Sequence, residues 1–372
     1  MKRKSNYPVC TRRSFIFGII CLAALVLPLH YLPAQDVSII PLFESDTPLE
    51  LVIETDLVGL LNDRRESPSY REAKLICQFE HSQALILDIR VRPRGQTRRK
   101  PGICDFPPIM LNFKKSALTE GTLFEGHEKV KLVSHCRDET SFHQFAAREY
   151  MIYKTYNLLT DESFRVRMVT IVYRDVQKRM APLRRSGFLL EDDDALAARL
   201  NAKIFEDPIY SWDRCEPISM DRMAFFEFMI GNTDWWVHTR HNVLIIQDAA
   251  GQIKPIPFDF DYAGLLNAAY AIPSPYLPIA SVRERFFKGR CLPEGGYGET
   301  IRFYRSIKDQ IGQLYENSTV IDRSVKNSDW RYLESFFELL EQGVWLQEQL
   351  RNFCREDPYA EYTSPDTRRK RK

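Results

Sequence analysis

Two features are missing from the start of the sequence: an acidic residue before Asp36, and an apolar run long enough to cross a membrane. The apolar run 15–27 covers about a dozen residues, whereas a transmembrane helix needs roughly 20. It follows a basic segment and precedes the small residue Ala34, an order typical of a cleavable secretory signal. We therefore predict that residues 1–34 are a signal peptide. The mature protein is expected in the periplasm or outside the cell, with no stable membrane span.

A strong excess of charge of either sign is missing as well. The chain has 52 Lys and Arg against 50 Asp and Glu, and the five bases before Asp36 leave with the predicted signal. The mature chain then has 47 basic and 50 acidic residues, a net charge of −3. Nucleic-acid-binding proteins usually carry a basic surplus, so no nucleic-acid partner is predicted. The basic end, residues 361–372, is expected to be a flexible solvated tail.

No two cysteines have the C-x-x-C spacing of structural zinc sites, so such a site is not expected. Two of the eight cysteines lie in the predicted signal, which leaves an even number in an oxidising compartment. Disulfides are permitted there, but the spacing does not decide which cysteines pair. The six that remain are Cys77, Cys104, Cys136, Cys215, Cys291 and Cys354.

Low-complexity linkers and internal repeats are also missing, and a single domain over residues 35–360 is predicted. Alternating apolar residues predict strands and helical spacing predicts helices. On this basis the part up to about residue 190 is a mixture of strands with one prominent helix, and the part from about 191 is mostly helical. The predicted elements include strands over 85–91, 109–114, 129–133, 165–173 and 186–190, and helices over 141–159 and from Asp221 to Gly231.

Side chains that carry oxygen atoms surround a predicted hairpin, residues 243–258. Asn242 precedes the hairpin and Asp259 follows it, and antiparallel neighbours lie about 5 Å apart, so the two side chains are expected to be close. Hard oxygen ligands are what Mg²⁺ or Mn²⁺ prefers, and such an ion can bridge the phosphates of ATP. Asp234, one loop away, is placed to accept the proton of an attacking hydroxyl. The order of these residues along the chain is that of kinase active sites.

The same residues resemble a known family. Gly231-Asn232-Thr233-Asp234, then His241-Asn242, then Pro257-Phe258-Asp259-Phe260-Asp261 resemble the G-N-x-D, H-N and P-[WFY]-D-x-D patterns of the CotH-type (spore-coat protein H) atypical kinases. Upstream, Arg94-Gly95 followed by Phe113-Lys114 resembles the strand–loop–strand segment of that family, R-G-x-[ST]. The resemblance covers roughly residues 85–265.

The resemblance implies a bilobal, protein-kinase-like α+β fold with a smaller β-rich N-terminal lobe, about 35–190, and a mostly helical C-terminal lobe, about 191–360. It implies transfer of the γ-phosphate of ATP, with Mg or Mn, to a hydroxyl of an unknown protein acceptor. In that family's terms Asp234 would be the catalytic base. Asn242 and Asp259 would hold the metal, and Asp261 would be a further ligand.

The resemblance also implies how the nucleotide would be held. Glu149, on the predicted helix 141–159, would pair with a lysine that orients the phosphates. Lys131 and Lys114 both remain candidates for that lysine. The sequence has no G-x-G-x-x-G loop, so the phosphates would have to be held by the loop that begins at Arg94.

Two other functions remain open. One is a catalytically inactive kinase-fold binding module of the cell envelope, which the scarcity of ATP outside the cytoplasm favours. The other is a metal-dependent hydrolase, which the lack of a His-rich metal set disfavours. A pseudo-enzyme often lacks one member of the set Asp234, Asn242 and Asp259, and here all three are present. Simple turn residues at these positions are a further alternative.

The signal peptide gives the first prediction. Protein purified from the cells that make it should begin near Gln35, because signal peptidase cleaves after a small residue such as Ala34. N-terminal sequencing measures this directly. Mature protein that still contained residues 1–30 would contradict the predicted export.

Overall fold

The computed structural model describes most of the chain from Ile40 onward. The predicted signal peptide, residues 1–34, and the predicted tail, residues 361–372, lie outside the described residues. The described ranges are 40–78, 83–100, 102–118, 121–137, 144–209, 211–293, 295–342, 346, 348–349 and 353–354.

Seven strands form a closed barrel in the order β1-β2-β3-β4-β5-β7-β6. Neighbouring strands are antiparallel except at the closure, where β1 runs parallel to β6 from the pair Leu49–Val169 to the pair Thr55–Asp175. A short helix, α1 (Leu57–Asn62), follows β1. The strands are β1 (Leu49–Thr55), β2 (Arg71–Gln78), β3 (Leu85–Pro93), β4 (Ile109–Phe113), β5 (Lys129–Val133), β6 (Val166–Asp175) and β7 (Leu183–Glu191).

The interior of the barrel is filled by the apolar side chains that alternate along its strands. Successive side chains of a strand point to opposite faces, so every second residue enters the core. β2 shows this well, because Ala73, Leu75 and Cys77 are buried while their neighbours are more exposed. Core residues from the other strands include Leu51, Ile89, Leu111, Leu132, Ile171 and Leu189.

A second core joins the helices to a three-stranded sheet of order β10-β9-β8. The helix α2 contacts β6 and β7 of the barrel as well as α4 and α5. This second part contains α2 (Phe145–Leu159), α3 (Asp193–Arg199), β8 (Lys203–Ile204), α4 (Pro217–Ile230), β9 (Val243–Gln247), β10 (Ile253–Pro257), α5 (Gly298–Asn317) and α6 (Arg323–Gln342).

The predicted bilobal, kinase-like α+β fold is wrong. The strands before residue 191 close into a seven-stranded barrel, because β6 pairs with β1 as well as with β7. The chain after residue 191 is not a mostly helical lobe, since it holds a three-stranded sheet and a long irregular stretch over residues 264–293. Sequence analysis missed β2, the strand that connects β1 to β3 and makes closure possible.

Local predictions agree better with the structure. The predicted hairpin is confirmed as the antiparallel pair β9–β10. The predicted helix after Asp221 starts earlier, because Glu216 accepts hydrogen bonds from the N–H groups of residues 218 and 219, and Pro217 fits the first helical turn. Asp221 does not cap the helix but is buried within it and forms an ion pair with Arg290 at 2.7 Å.

Two disulfides join cysteines that the sequence left unpaired, Cys104–Cys136 and Cys291–Cys354. Cys77 and Cys215 are free and buried, and burial raises the pKa of both thiols to about 12. Both free thiols are therefore poor nucleophiles. In the part of the chain that the structure covers, no helix has both the length and the apolar character to cross a bilayer.

The second prediction concerns the longer disulfide loop. Cys291 and Cys354 are 63 residues apart, and a cross-link of this span lowers the entropy of the unfolded chain by an amount equivalent to about 4 kcal/mol. The double variant Cys291→Ser, Cys354→Ser should lose roughly that much unfolding free energy in a guanidinium titration. The difference from the parent should disappear when both proteins are reduced. Peptide mapping that found Cys77 or Cys215 in a disulfide would contradict the pairing.

Candidate functional site

The β9–β10 hairpin brings Asn242 and Asp259 to one end of the sheet. The N–H of Phe258 donates to the carbonyl of Asn242 at 3.0 Å, which continues the hairpin pairing beyond its last strand residues. Asn242 has φ 53° and Asp259 has φ 62°, both in the left-handed region. Asn and Asp tolerate this conformation better than other residues with a side chain. The predicted proximity of Asn242 and Asp259 is therefore confirmed, and both line the same cleft.

Asp234 lies in the loop that follows α4. Gly231 ends the helix in the left-handed conformation, and the Asn232 side chain then accepts a hydrogen bond from the N–H of Asp234 at 3.0 Å. The side-chain nitrogen of Asn242 donates to the carbonyl of Asp234 at 2.7 Å and to its carboxylate at 3.1 Å. Asp234 is thus held next to one end of the hairpin, with its side chain 35% exposed.

His241 binds the other oxygen of the Asp234 carboxylate. Its Nε2 lies 2.8 Å from Oδ1 of Asp234, and this hydrogen bond raises the pKa of the imidazole against the effect of burial. A protonated His241 compensates the negative charge of Asp234 and fixes its orientation. A carboxylate oriented in this way can accept a proton from a group bound in the cleft.

A buried lysine binds the backbone of the loop that contains Asp234. The Nζ of Lys288 donates to the carbonyls of Thr233 and Trp235, at 2.7 and 2.6 Å, which are the residues on either side of Asp234. Lys288 is 1% exposed and also interacts electrostatically with the fully buried Glu227. Burial lowers the pKa of Lys288 to about 7 and raises that of Glu227 to about 8. No sequence pattern indicated this lysine, since it lies more than 50 residues away in the chain.

The centre of the site is an arginine that sequence analysis also missed. Arg98, in the loop after β3, donates from Nη2 to Glu149 of α2 at 3.1 Å and from Nε to Asp261 at 3.0 Å. Its Nη2 also lies 3.6 Å from Oδ1 of Asp259. The hydroxyl of Tyr270 donates to the same oxygen of Asp261 at 3.0 Å. One guanidinium therefore contacts three carboxylates, one from α2 and two from the segment after β10.

The buried carboxylates of this cluster hold protons more tightly than free ones. Burial raises the pKa of Asp261 to about 7 and also raises that of Glu149, while the charge of Arg98 acts in the opposite direction. Arg98 is desolvated too, but its carboxylate neighbours hold its pKa well above the ordinary value. Three carboxylates share one guanidinium, so near neutral pH the cluster can bind a further positive charge, such as a proton.

The predicted lysine partner of Glu149 is not the partner that the structure shows. Glu149 pairs with Arg98, whereas Lys131 forms an ion pair with Asp193 at the start of α3. Lys114 is exposed after the end of β4. Glu149 lines the cleft, but the cation that pairs with it is an arginine and not the predicted lysine.

These residues line a cleft of about 290 Å³. The loop that begins at Arg94 forms one wall, and Gly95 in this loop has φ 80°, a conformation that favours glycine. The lining also includes the basic residue Arg98 and the acidic and amide residues Glu149, Asp234, Asn242, Asp259 and Asp261.

Of the two carboxylates predicted as metal ligands, the exposed one is available to a divalent cation and the buried one is not. Asn242 uses its amide nitrogen on Asp234, so its oxygen is the atom left for a metal. The Asp259 side chain is 51% exposed, whereas Asp261 is buried and bound by Arg98 and Tyr270. Among the described residues, no three His, Cys, Asp or Glu side chains are arranged to hold a metal ion. Mg²⁺ commonly uses one or two carboxylates together with substrate phosphates, and Asp259 with Asn242 suits that mode.

Comparison of the chain with models of known protein families and with curated proteins gives no match. The similarity to the CotH-type kinases therefore rests on the motifs alone.

The third prediction is a pH dependence of stability. The pKa of Asp261 rises from 3.8 in the unfolded chain to about 7, so its contribution to stability is present at acid pH and lost as pH rises through about 7. Asp261→Asn cannot ionise. Its unfolding free energy relative to the parent should therefore increase between pH 5 and pH 8, by about 1 kcal/mol or more.

Thermal unfolding of both proteins over this pH range measures the effect. The exposed Asp309→Asn serves as a matched control, and its difference from the parent should stay constant. A constant difference for Asp261→Asn as well would show that Asp261 titrates in the folded protein as it does in the unfolded chain.

Proposed function

We propose that this cleft binds ATP with Mg²⁺ or Mn²⁺ and transfers the γ-phosphate to a hydroxyl of a protein acceptor, after export of the chain to the periplasm or the outside of the cell. One observation carries the proposal. The carboxylate of Asp234 is partly exposed in the cleft and is oriented by His241 and by the side-chain nitrogen of Asn242. A base in this position is what transfer to a hydroxyl requires.

The other residues of the cleft suit a nucleoside triphosphate. Asp259 and the amide oxygen of Asn242 would hold the cation, which would neutralise phosphate charge when it is bound. Arg94 also lines the cleft and can pair with phosphate oxygens. Asp234, Asn242, Asp259 and Arg94 thus keep their predicted roles. Neither Lys131 nor Lys114 is proposed to bind the nucleotide.

The chemistry balances with the groups of the cleft and its two substrates. The oxygen of the acceptor hydroxyl forms a bond to the γ-phosphorus, and the bond from that phosphorus to the β–γ bridging oxygen breaks. ADP leaves with the electron pair of the broken bond. The hydroxyl proton passes to the Asp234 carboxylate, which His241 orients through Oδ1 and Asn242 through Oδ2.

The alternative is an envelope module that binds a nucleotide without turnover. It is favoured by the pairing of Glu149 with Arg98, since a lysine that orients the α- and β-phosphates is the usual partner of such a carboxylate in kinases. The two functions share the cleft and differ in whether Asp234 accepts a proton. A test of Asp234 therefore separates them.

The fourth prediction concerns turnover. Asp234→Asn should reduce phosphate transfer by about 10²–10⁴-fold, because it removes the proton acceptor while keeping the shape of the side chain. Binding of ATP should be nearly unchanged, since Asp234 is proposed to contact the acceptor hydroxyl. The assay is labelling of envelope proteins, or of the chain itself, with γ-labelled ATP and Mn²⁺.

The exposed Asp309→Asn is again the matched control and should label like the parent. Equal labelling by the parent and Asp234→Asn would exclude Asp234 as the base. Tight ATP binding by both proteins with no labelling by either, of added proteins or of the chain itself, would favour the binding module.

A further inference from the structure

Arg98 occupies the inner part of the cleft. Its side chain is 7% exposed, and those of Glu149 and Asp261 are 1% and 6% exposed. Asp259, the third carboxylate that it contacts, is 51% exposed and lies towards the opening. The positive charge of Arg98 is therefore buried against the inner carboxylates, and the outermost carboxylate that it contacts remains open to solvent.

The contacts of Arg98 are those of a permanent counter-ion. Its hydrogen bonds to Glu149 and Asp261 join residues 51 and 163 positions away in the chain, from α2 and from the segment after β10. A buried guanidinium remains charged at every accessible pH and presents its donors in a fixed plane. Removal of either partner from a buried ion pair leaves an uncompensated charge, which is strongly unfavourable.

The guanidinium of Arg98 is in contact with all three carboxylates. As they are arranged around Arg98, the described acidic residues of the cleft do not form a three-membered metal set. Asp261, predicted from the sequence as a further metal ligand, is instead bound by Arg98 and by the hydroxyl of Tyr270. The outer pair, Asp259 and Asn242, is left for a cation.

We propose that Arg98 takes the place of a divalent cation at the inner carboxylates, so that the cleft holds no metal ion between Glu149, Asp259 and Asp261. The inference rests on the proposed function, because it concerns the metal requirement of the same cleft. In this arrangement a single ion binds with the nucleotide at Asp259 and Asn242. Arg98 supplies the remaining positive charge, and Asp261 positions Arg98.

The test counts Mn²⁺ ions per chain by electron paramagnetic resonance, which detects the unbound ion, in the presence of a non-hydrolysable ATP analogue. Arg98→Ala removes the guanidinium and leaves three carboxylates and space for an ion. It should bind one Mn²⁺ more per chain than the parent. Arg98→Lys keeps a positive charge and should bind the same number as the parent. The exposed Arg302→Met, which also removes one charge, is the matched control and should not change the count.

A second variant covers the case in which Arg98→Ala does not fold. Arg98→Ala with Glu149→Gln removes the guanidinium together with its most buried partner, and it should still gain one Mn²⁺ at Asp259 and Asp261. Circular dichroism of each variant establishes that it is folded. An unchanged Mn²⁺ count in the folded variants would overturn the inference, as would an equal gain in Arg302→Met.

The result is separable from the proposed function. The inference depends on the difference in Mn²⁺ count between the Arg98 variants and the parent, and this difference requires no turnover. The proposed function depends on the transfer of label and on its loss in Asp234→Asn. A gain of one ion without any transfer would support the role of Arg98 and refute the kinase activity. Transfer of label without any gain of Mn²⁺ in the Arg98 variants would support the kinase activity and overturn the role of Arg98.

Discussion

The ion pairs of Arg98 are the constraint on which the site depends. One guanidinium connects the loop after β3 of the barrel, the helix α2 and the segment that leaves the β9–β10 hairpin. Each connection is buried, so water does not compete for the donors and the electrostatic attraction is stronger than at the surface. The barrel and the hairpin are thereby held at the distances that make a cleft between them. Without this cation, the buried carboxylates of Glu149 and Asp261 would repel each other.

The position of Arg98 divides the acidic residues of the cleft into two groups with different chemistry. Glu149 and Asp261 are buried, and their raised pKa values show that burial outweighs the single guanidinium. Asp234 and Asp259 are more exposed and face the volume where a substrate would lie. The inner group therefore serves to position Arg98, whereas the outer group is available to accept a proton or to bind a cation. This division is the physical basis for assigning different roles to carboxylates that the sequence presents side by side.

Sequence patterns predicted the parts of this arrangement that are local. The hairpin follows from two β-rich segments with a short turn between them, so the proximity of Asn242 and Asp259 was predictable from a few residues. Closure of the barrel was not predictable in this way. The parallel pairing of β1 with β6 joins segments over 100 residues apart, and no short turn between them indicates the pairing. The partner of Glu149 was missed for the same reason. Arginines near loops are common and usually solvated, so nothing in the sequence distinguishes Arg98 from Arg99.

Backbone strain gives a last reason to assign a function to the hairpin ends. Asn242 and Asp259 both adopt left-handed conformations, which cost roughly 1 kcal/mol or more for most residues with a side chain, although Asn and Asp tolerate them better than others. Glycine could adopt the same conformation at both positions without the steric cost. The side chains instead form specific contacts, Asn242 with the carboxylate of Asp234 and Asp259 with Arg98. The strain is therefore offset by what these side chains bind, as is common where strained residues occur at functional sites.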